Sequence, residues 1–535
     1  MNNKNVGLLD CTLRDGGYVN DWQFGHATIT GIYKNLDKAK VDYVEIGYLK
    51  SGEPFDMNRA VYPSIDAINK IMSNVKKEYS VPVAMIDLGN FNIADLTPQS
   101  EAFIDGIRLT FKKGNLENAA AACREIKSKG YKLFVQILSI TGYSVDELMV
   151  LIREMNDIKP FAVSIIDTYG LLDEKMLSYY FAIIDNNLNK DIKIGFHDHN
   201  NFQLGFSNTA KFMEMNTNRD LVGDASIYGM GKSAGNTPSE LLAMHLNNYF
   251  GKDYDLTKLL EIVNTYLLPI HQQTYWGYKY DYYISAMQNC HPNYVKYLLD
   301  KNTLSVSSVN EILANIPEAK KLSYSKDYIE DAYLRYQSKE ISDMSYVTLL
   351  KEELSNDSIV VIGPGSSINK ETAEIKKTIE NEKAKVISVN FRPSDFPVDY
   401  VFVSNSKRYN SYEDGYLDTE NSKLIITSNI TPLVLTPDAI VNYESILFFE
   451  NDQCRDNALL MLLNLLIKLG CTQVYLAGFD GYDIGGNNYF STEYEFASTN
   501  KVNMERNAQI SSALKSLSAQ IGINFITKSL YIIEE

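Results

Sequence analysis

The sequence predicts an α/β protein: a (β/α)8 TIM barrel with a helical extension, followed by a Rossmann-like α/β domain. Three observations carry this. Eight short β-branched or aromatic runs recur through the first 230 residues, with helical patterning between them. Near-continuous apolar strands alternating with amphipathic segments are the mark of parallel strands buried on both faces. Eight such units close a barrel of about 250 residues, whereas an open doubly wound sheet usually has fewer. Last, a new strand–helix rhythm begins at Ser358, after a long helical stretch.

The predicted barrel strands are Val6–Asp10, Tyr43–Gly47, Val81–Ile86, Gly106–Phe111, Lys132–Leu138, Ala162–Asp167, Lys193–His199 and Leu221–Ile227. Segments such as "NLENAAAACREIKSKG" and "SVDELMVLIREMNDI" supply the helices between them. Residues 1–250 are therefore assigned to the barrel. Residues 251–355 are aromatic-rich, helical in pattern and low in Pro and Gly, and are expected to pack as an extension of it. Residues 356–535 form the second α/β domain, with strands expected at Ile359–Ile362, Lys385–Val389, Tyr400–Ser404, Lys423–Thr427, Ile446–Phe449 and Val474–Ala477.

Composition narrows the function. Of 535 residues, 51 are Lys or Arg and 67 are Asp or Glu, a net charge of -16 spread along the chain. Nucleic acid and anionic membrane surfaces need a cationic footprint, so both are disfavoured as partners. Five cysteines without CxxC spacing argue against a disulfide framework or a zinc ribbon. The amino terminus has no apolar signal core, and the longest apolar stretch, Ala458 to Leu469, is short and holds Asn464 and Lys468. No signal peptide or membrane span is expected, which makes the cytoplasm the default location.

The strongest local signal is "GFHDHNN". His197 and His199 are two apart on a predicted strand, so their side chains share one face while Asp198 takes the other. They end the seventh predicted strand, on the rim where barrel active sites lie. Asp15 follows the first strand in "LLDCTLRDGG" and reaches the same rim, and Gly16–Gly17 allow a sharp turn there. Two imidazoles and a carboxylate without thiolate suit Mn²⁺ or Mg²⁺, with Zn²⁺, Co²⁺ or Fe²⁺ as alternatives. A core histidine is more often structural, but a pair at the barrel mouth is better read as ligands. Arg14 is placed to stabilise a developing oxyanion, the alternative being a salt bridge to a neighbouring carboxylate.

The motifs "DCTLRDGG", "FHDHNNFQLGFSN" and "GMGKSAGNTPSELL" together resemble the DRE-type metal-dependent TIM-barrel aldolase/lyase superfamily, over roughly residues 5–300. The sequence looks most like the 4-hydroxy-2-oxovalerate aldolases. The resemblance implies Asp15, His197 and His199 as metal ligands, Asn236 as a further ligand, and Arg14 as catalytic. "NTPSE" also reads as a helix start, with Thr237 as N-cap, Pro238 at N1 and Glu240 closing a capping box.

The implied reaction cleaves or forms a 4-hydroxy-2-oxo acid through a pyruvate enolate, with a 2-oxo acid and an aldehyde as small-molecule partners. Glu45, Arg108, Gln136 and Asp167 are expected to support substrate. Arg108, a charge inside an apolar strand, requires an anionic partner: a substrate carboxylate, Asp167 or Glu45. The sequence departs from the aldolases where they commonly carry a proton-transferring histidine, because Tyr18 stands there. A phenol with a pKa of about 10 is a poor base near neutrality. His271 and His291 on the helical extension are the candidate substitutes, and Tyr278 or Tyr280 could protonate an alkoxide, with ordinary packing the competing reading for each of the four. A Claisen-type acyl-CoA condensing enzyme or lyase on the same barrel, and a non-catalytic protein of glycan assembly, are the competing readings.

In the second domain "IVVIGPGSS" reads as a strand, a Gly-Pro-Gly turn and a helix start, a place where backbone N–H groups can hold phosphate. With "NALLMLLNLLIKLGCTQVYLAGFDGYD" it resembles bacterial sialyltransferase-like and motility-accessory glycosyltransferase folds. That resemblance implies a nucleotide or nucleotide-sugar pocket near Gly363, Gly365, Ser366, Asn390, Asn405 and Asp480, and a link to surface polysaccharide biosynthesis. No histidine follows His291, so the base such a transferase needs is missing. Homo-oligomerisation is expected, with the Tyr-rich extension as interface.

Overall fold

The computed structural model describes residues 5–411, 422–432, 435–450, 454–483, 488–490 and 500–531. The chain divides into two compact units, Met1–Lys296 with Ile316–Tyr324, and Tyr297–Asn315 with Ser325–Glu535. The helical stretch is therefore shared between the units: residues 297–315 and those after 324 belong to the second, instead of extending the barrel as a block.

The first unit is built on nine parallel strands: β1 (Val6–Asp10), β2 (Tyr43–Leu49), β3 (Val61–Tyr62), β4 (Val81–Asp87), β5 (Gly106–Phe111), β6 (Lys132–Ile137), β7 (Ala162–Asp167), β8 (Lys193–Asp198) and β9 (Leu221–Ala225). Their order is β1-β9-β8-β7-β6-β5-β4-β2, and β1 also pairs with β2, so eight strands close the barrel. The ninth, β3, adds beside the C-terminal end of β2, where Tyr48 and Leu49 pair with Val61 and Tyr62. Gly47 makes that approach feasible. Its φ is +142°, and a Cβ there would run into the Ala60 carbonyl.

Side-chain alternation sorts each strand. Leu8 faces outward into the helix-covered core, while Leu9 joins Val83, Phe134, Ala162 and Val222 in an inner apolar layer. Register then carries Glu45, Arg108, Gln136, Ser164, His197 and Asp224 onto the same inner face. A polar layer thus sits inside an apolar barrel.

The second unit contains a seven-stranded parallel sheet, β10 (Ile359–Ile362), β11 (Lys385–Val389), β12 (Tyr400–Val403), β13 (Lys423–Thr427), β14 (Ala439–Val441), β15 (Gln473–Ala477) and β16 (Gly522–Phe525), in the order β14-β13-β12-β11-β10-β15-β16. The expected strand at Ile446–Phe449 does not form. Ile446 ends a short 3-10 turn, and the carbonyls of Ile446 and Leu447 accept from Asn464 Nδ2 instead of a ladder partner. The strand that does form is Ala439–Val441. The edge strand β16 alternates between exposed and half-buried residues, so it lacks the apolar run that marks the others. The apolar helix Ala458–Leu469 buries eight of its twelve residues in this unit's core. No helix among the described residues is long and apolar enough to cross a membrane.

Candidate metal centre and active site

Asp15, His197 and His199 converge at the C-terminal mouth of the barrel. One ligand atom from each lies within 4.8 Å of the others, and all three residues are buried. His197 is the penultimate residue of β8, on the inner face, and His199 follows the strand end, where it bridges to Asn236. Asp198 between them points outward and accepts from Asn208 Nδ2 at 3.0 Å.

Each imidazole is held by its Nδ1. Asp224 Oδ2 lies 3.1 Å from His197 Nδ1, and the Asp167 carbonyl lies 2.8 Å from His199 Nδ1. That leaves both Nε2 atoms for the centre, the arrangement by which outer partners orient histidine ligands. His199 Nε2 and Asn236 Oδ1 are buried with no hydrogen-bond partner. Buried polar atoms without partners are costly, and here they face a carboxylate that could share a cation with them. Gly231 completes the cradle, since a Cβ there would strike Asn236 Nδ2 and Asp15 Oδ2.

Electrostatics keep the donors in ligand form. Burial lowers the His197 pKa, an effect larger than the opposing bond from Asp224, so the ring is neutral. Burial opposes ionisation of Asp15, but Arg14, then His199 and His197, hold its carboxyl well below the usual range. Burial likewise works against Asp224, and Arg108 with His197 outweighs it.

A buried ion network underlies the centre. Glu45 Oε2 accepts from Arg14 Nε at 2.7 Å and from Arg108 Nη1 at 2.8 Å. Arg14 Nη1 also pairs with Asp15, and Arg108 Nη2 pairs with Asp224 and donates to Gln136 Oε1 at 2.8 Å. Arg108 thus has protein counter-ions in Glu45 and Asp224, the second of which the sequence did not suggest. Arg108 Nη1 and Nη2 and the Gln136 side chain are engaged in this network, while Arg108 Nε is buried without a hydrogen-bond partner. Asp167 is no partner of Arg108: its carboxylate accepts from Leu172 N at 2.7 Å, and only its backbone carbonyl serves the site. Glu45 Oε1 remains buried and unpartnered.

The residues expected to move protons are less well equipped. Tyr18 is 45% exposed, its hydroxyl lies 3.1 Å from Tyr48 OH, and burial of that hydroxyl raises its pKa further. It is a donor, not a base. His291 Nδ1 accepts from Asn293 N at 3.1 Å, and burial, with the nearby Lys232 charge, brings its pKa down to about 4. The neutral ring therefore carries its proton on Nε2 and can only donate. His271 stacks edge-on to Trp276, and Tyr278 and Tyr280 are exposed. The helix start also differs from expectation. The helix Ser239–Phe250 is preceded by Pro238 at the N-cap, Thr237 Oγ1 pairs with Thr209 Oγ1, and Glu240 accepts from Tyr228 N.

In the second unit a cavity of about 300 Å³ is lined by Gly365, Asn390, Asn405, Arg408, Asp480, Tyr482, Tyr489 and Arg506, among others. It lies at the C-terminal ends of β10 and β15, where strand order reverses and open α/β sheets bind ligands. The Gly-Pro-Gly turn is not the phosphate cradle expected. Gly363 N donates to Ala477 O and Gly365 N to Gly478 O, each at 2.8 Å. Ser367 N donates to Asp480 Oδ2 at 2.8 Å, and Ser366 Oγ to the same oxygen at 3.3 Å. Both glycines are needed because a Cβ would strike the Gly478 carbonyl. Asn390 Oδ1 accepts from Ser404 N, and Asn405 Oδ1 caps the Ser406–Asn410 helix.

Comparison with known proteins agrees with the barrel. Residues 5–265 match the HMGL-like family model. Oxaloacetate decarboxylase of Mycobacterium tuberculosis is 24% identical over 272 residues, covering 50% of this chain and 78% of that protein. A 4-hydroxy-2-oxovalerate aldolase of Bacillus cereus is 24% identical over 278 residues, covering 51% and 80%. The solved N-terminal domain of a Bacteroides vulgatus protein, 25% identical, covers 57% of this chain and 99% of that one with a TM-score of 0.48. The barrel half of the chain is thus similar to the HMGL-like family, and the protein is an enzyme of the lyase type.

Proposed function

We propose that the barrel is a divalent-metal-dependent aldolase that cleaves or forms a 4-hydroxy-2-oxo acid by way of pyruvate's enolate. The convergence of Asp15, His197 and His199, with unpartnered His199 Nε2 and Asn236 Oδ1 beside them, carries the reading. These residues would hold the cation, with Mn²⁺ or Mg²⁺ the best match to an oxygen and nitrogen set. When bound, it supplies Lewis acidity toward a 2-oxo acid.

The chain's own residues do the rest. Arg14 is fixed through Nε by Glu45 and through Nη1 by Asp15, which leaves Nη2 to meet negative charge developing on the substrate's keto oxygen. Glu45, Arg108, Gln136 and Asp224 act as positioning residues: one chain of ion pairs and hydrogen bonds sets both Arg14 and His197. The Asp167 carbonyl sets His199. Tyr18 and His291 act as donors. The test is pyruvate release from 4-hydroxy-2-oxovalerate, with and without EDTA. Activity indifferent to the chelator would rule out the metal mechanism.

One observation favours oxaloacetate decarboxylation as a second reading. Aldol cleavage needs a base at the 4-hydroxyl, and neither Tyr18 nor His291 is one, whereas loss of CO₂ from a 2-oxo-4-carboxylate needs none. An M. tuberculosis relative bears that name. Side-by-side assays of aldehyde and of CO₂ release separate the two.

For the second unit we propose a nucleotide-linked ligand in the cavity, held by Arg408, Arg506 and the surrounding tyrosines instead of by the glycine turn. Thermal shifts with a panel of nucleoside mono- and diphosphates test it, and a flat response across the panel argues against it.

A further inference from the structure

The strand β2 meets the turn that follows β1 at two points: Glu45 holds Arg14, and Tyr48 meets Tyr18. In a regular strand residues three apart face opposite sides, yet both of these point into the barrel. The reason is a shift of register in β2. Glu45 pairs with Val83 and Tyr48 with Met85, so three steps on β2 are matched by two on β4. Val83 belongs to the inner apolar layer, and Met85 is also the partner of the inward-facing Arg108. The added step falls at Ile46–Gly47, where the φ of Gly47 is +142°. Such a bulge re-aims the side chains that follow it.

The re-aimed Tyr48 hydroxyl lies 3.1 Å from that of Tyr18, and among the described residues neither hydroxyl has another hydrogen-bond partner. The two rings meet edge-on at 6.5 Å, and Trp22 packs edge-on against both, 4.7 Å from Tyr18 and 5.6 Å from Tyr48. Trp22 Nε1 donates to the Arg14 carbonyl at 2.7 Å, and Tyr18 N donates to the Asp15 carbonyl at 3.2 Å. The aromatic cluster is therefore tied to the backbone of the metal-site turn. Tyr18 is exposed at the mouth and Tyr48 is half-buried behind it. One hydroxyl of the pair donates and the other accepts. With Tyr48 as donor, Tyr18 keeps its own O–H free, and the same bond strengthens toward the phenolate that Tyr18 becomes on giving its proton up. That bond also opposes the rise that burial imposes on the Tyr18 pKa.

We infer that Tyr48 is a positioning residue for proton delivery: its hydroxyl donates to the Tyr18 hydroxyl oxygen and leaves the Tyr18 O–H to protonate C3 of the pyruvate enolate. In that step the enolate's electron pair forms the new C3–H bond and the Tyr18 O–H bond breaks. The phenolate left behind, exposed at the mouth, recovers a proton from water. The inference rests on the 2-oxo acid reading of the barrel and on Tyr18 as its donor. It applies to aldol cleavage and to decarboxylation alike, because both pass through this enolate.

The test is exchange of the pyruvate methyl hydrogens for deuterium in D₂O by the full chain loaded with Mn²⁺, followed by proton NMR. Exchange runs the same transfer in both directions. Tyr18→Phe should slow it about a hundredfold or more, the scale of a lost proton donor. Tyr48→Phe keeps the ring and should slow it about tenfold, the scale of a hydrogen bond to a charged oxygen. In that variant the KM for pyruvate and the Mn²⁺ affinity read by calorimetry should stay as in the wild type. The double variant should be no slower than Tyr18→Phe alone, since Tyr48 acts only through Tyr18. A wild-type rate in Tyr48→Phe, a further loss on the Tyr18→Phe background, or a loss confined to KM or Mn²⁺ affinity would overturn the role of Tyr48. A wild-type rate in Tyr18→Phe would overturn it as well, while leaving the 2-oxo acid reading intact. If the wild type with Mn²⁺ exchanges nothing, that reading fails and the role of Tyr48 falls with it.

Discussion

At the scale of single residues, the site depends on side chains that never need to touch substrate. Asp224 is the clearest case, since one carboxylate neutralises Arg108 and orients His197. Asp224→Asn keeps the shape and removes the charge, and outer partners of this kind are worth about 10–100-fold in metal affinity. Mn²⁺ titration of the variant should show a loss in that range with all three ligands still present. His291 gives a separate prediction in pH. Its pKa is about 4 in the folded protein against 6.5 when free. Below 6.5 the unfolded chain takes up a proton that the folded chain refuses until about 4. Stability contributed at this position is therefore lost as pH falls across that window and levels off beneath it. His291→Asn should flatten that segment of the stability profile, as read by denaturant midpoints at half-unit pH steps.

At the scale of elements, position on a strand decides which charges meet. Glu45, Arg108, Gln136, His197 and Asp224 lie on five different strands, and the parity of each strand turns them inward together. The turn after β9 contributes what no strand can: Gly231, Lys232 and Asn236 all border Asp15. Gly231→Ala places a methyl against Asn236 Nδ2 and Asp15 Oδ2, so it should impair metal binding far more than folding. The expected outcome is an unchanged far-ultraviolet circular dichroism spectrum with Mn²⁺ affinity reduced at least about tenfold, a scale set by the outer partners of such ligands.

At the scale of the molecule, the chain holds two compact units with separate cores. A cation bound only by Asp15, His197 and His199 stabilises the unit that contains them. At a hundred times its dissociation constant it should add about 2.7 kcal/mol to that unit. Scanning calorimetry should show two transitions, one rising with Mn²⁺ and falling with EDTA and the other indifferent to both. A single transition that moves as a whole would mean that the units unfold together.

The sequence by itself determined the repeating pattern of the barrel, the beginning of a second sheet near Ser358, and the three residues that converge at the rim. Each of these is written in local periodicity: a spacing of two puts His197 and His199 on one face whatever surrounds them. Only the tertiary structure decided how the charges pair. Asp224 belongs to a strand that reads as apolar, and its place between Arg108 and His197 comes from register across the closed barrel. The same holds for the Gly-Pro-Gly turn, whose N–H groups look available in sequence but are consumed by the carbonyls of Ala477, at the end of β15, and Gly478, just after it, more than a hundred residues away. Long-range pairing of this kind leaves no local trace, because the partner is chosen by the fold and not by its neighbours along the chain.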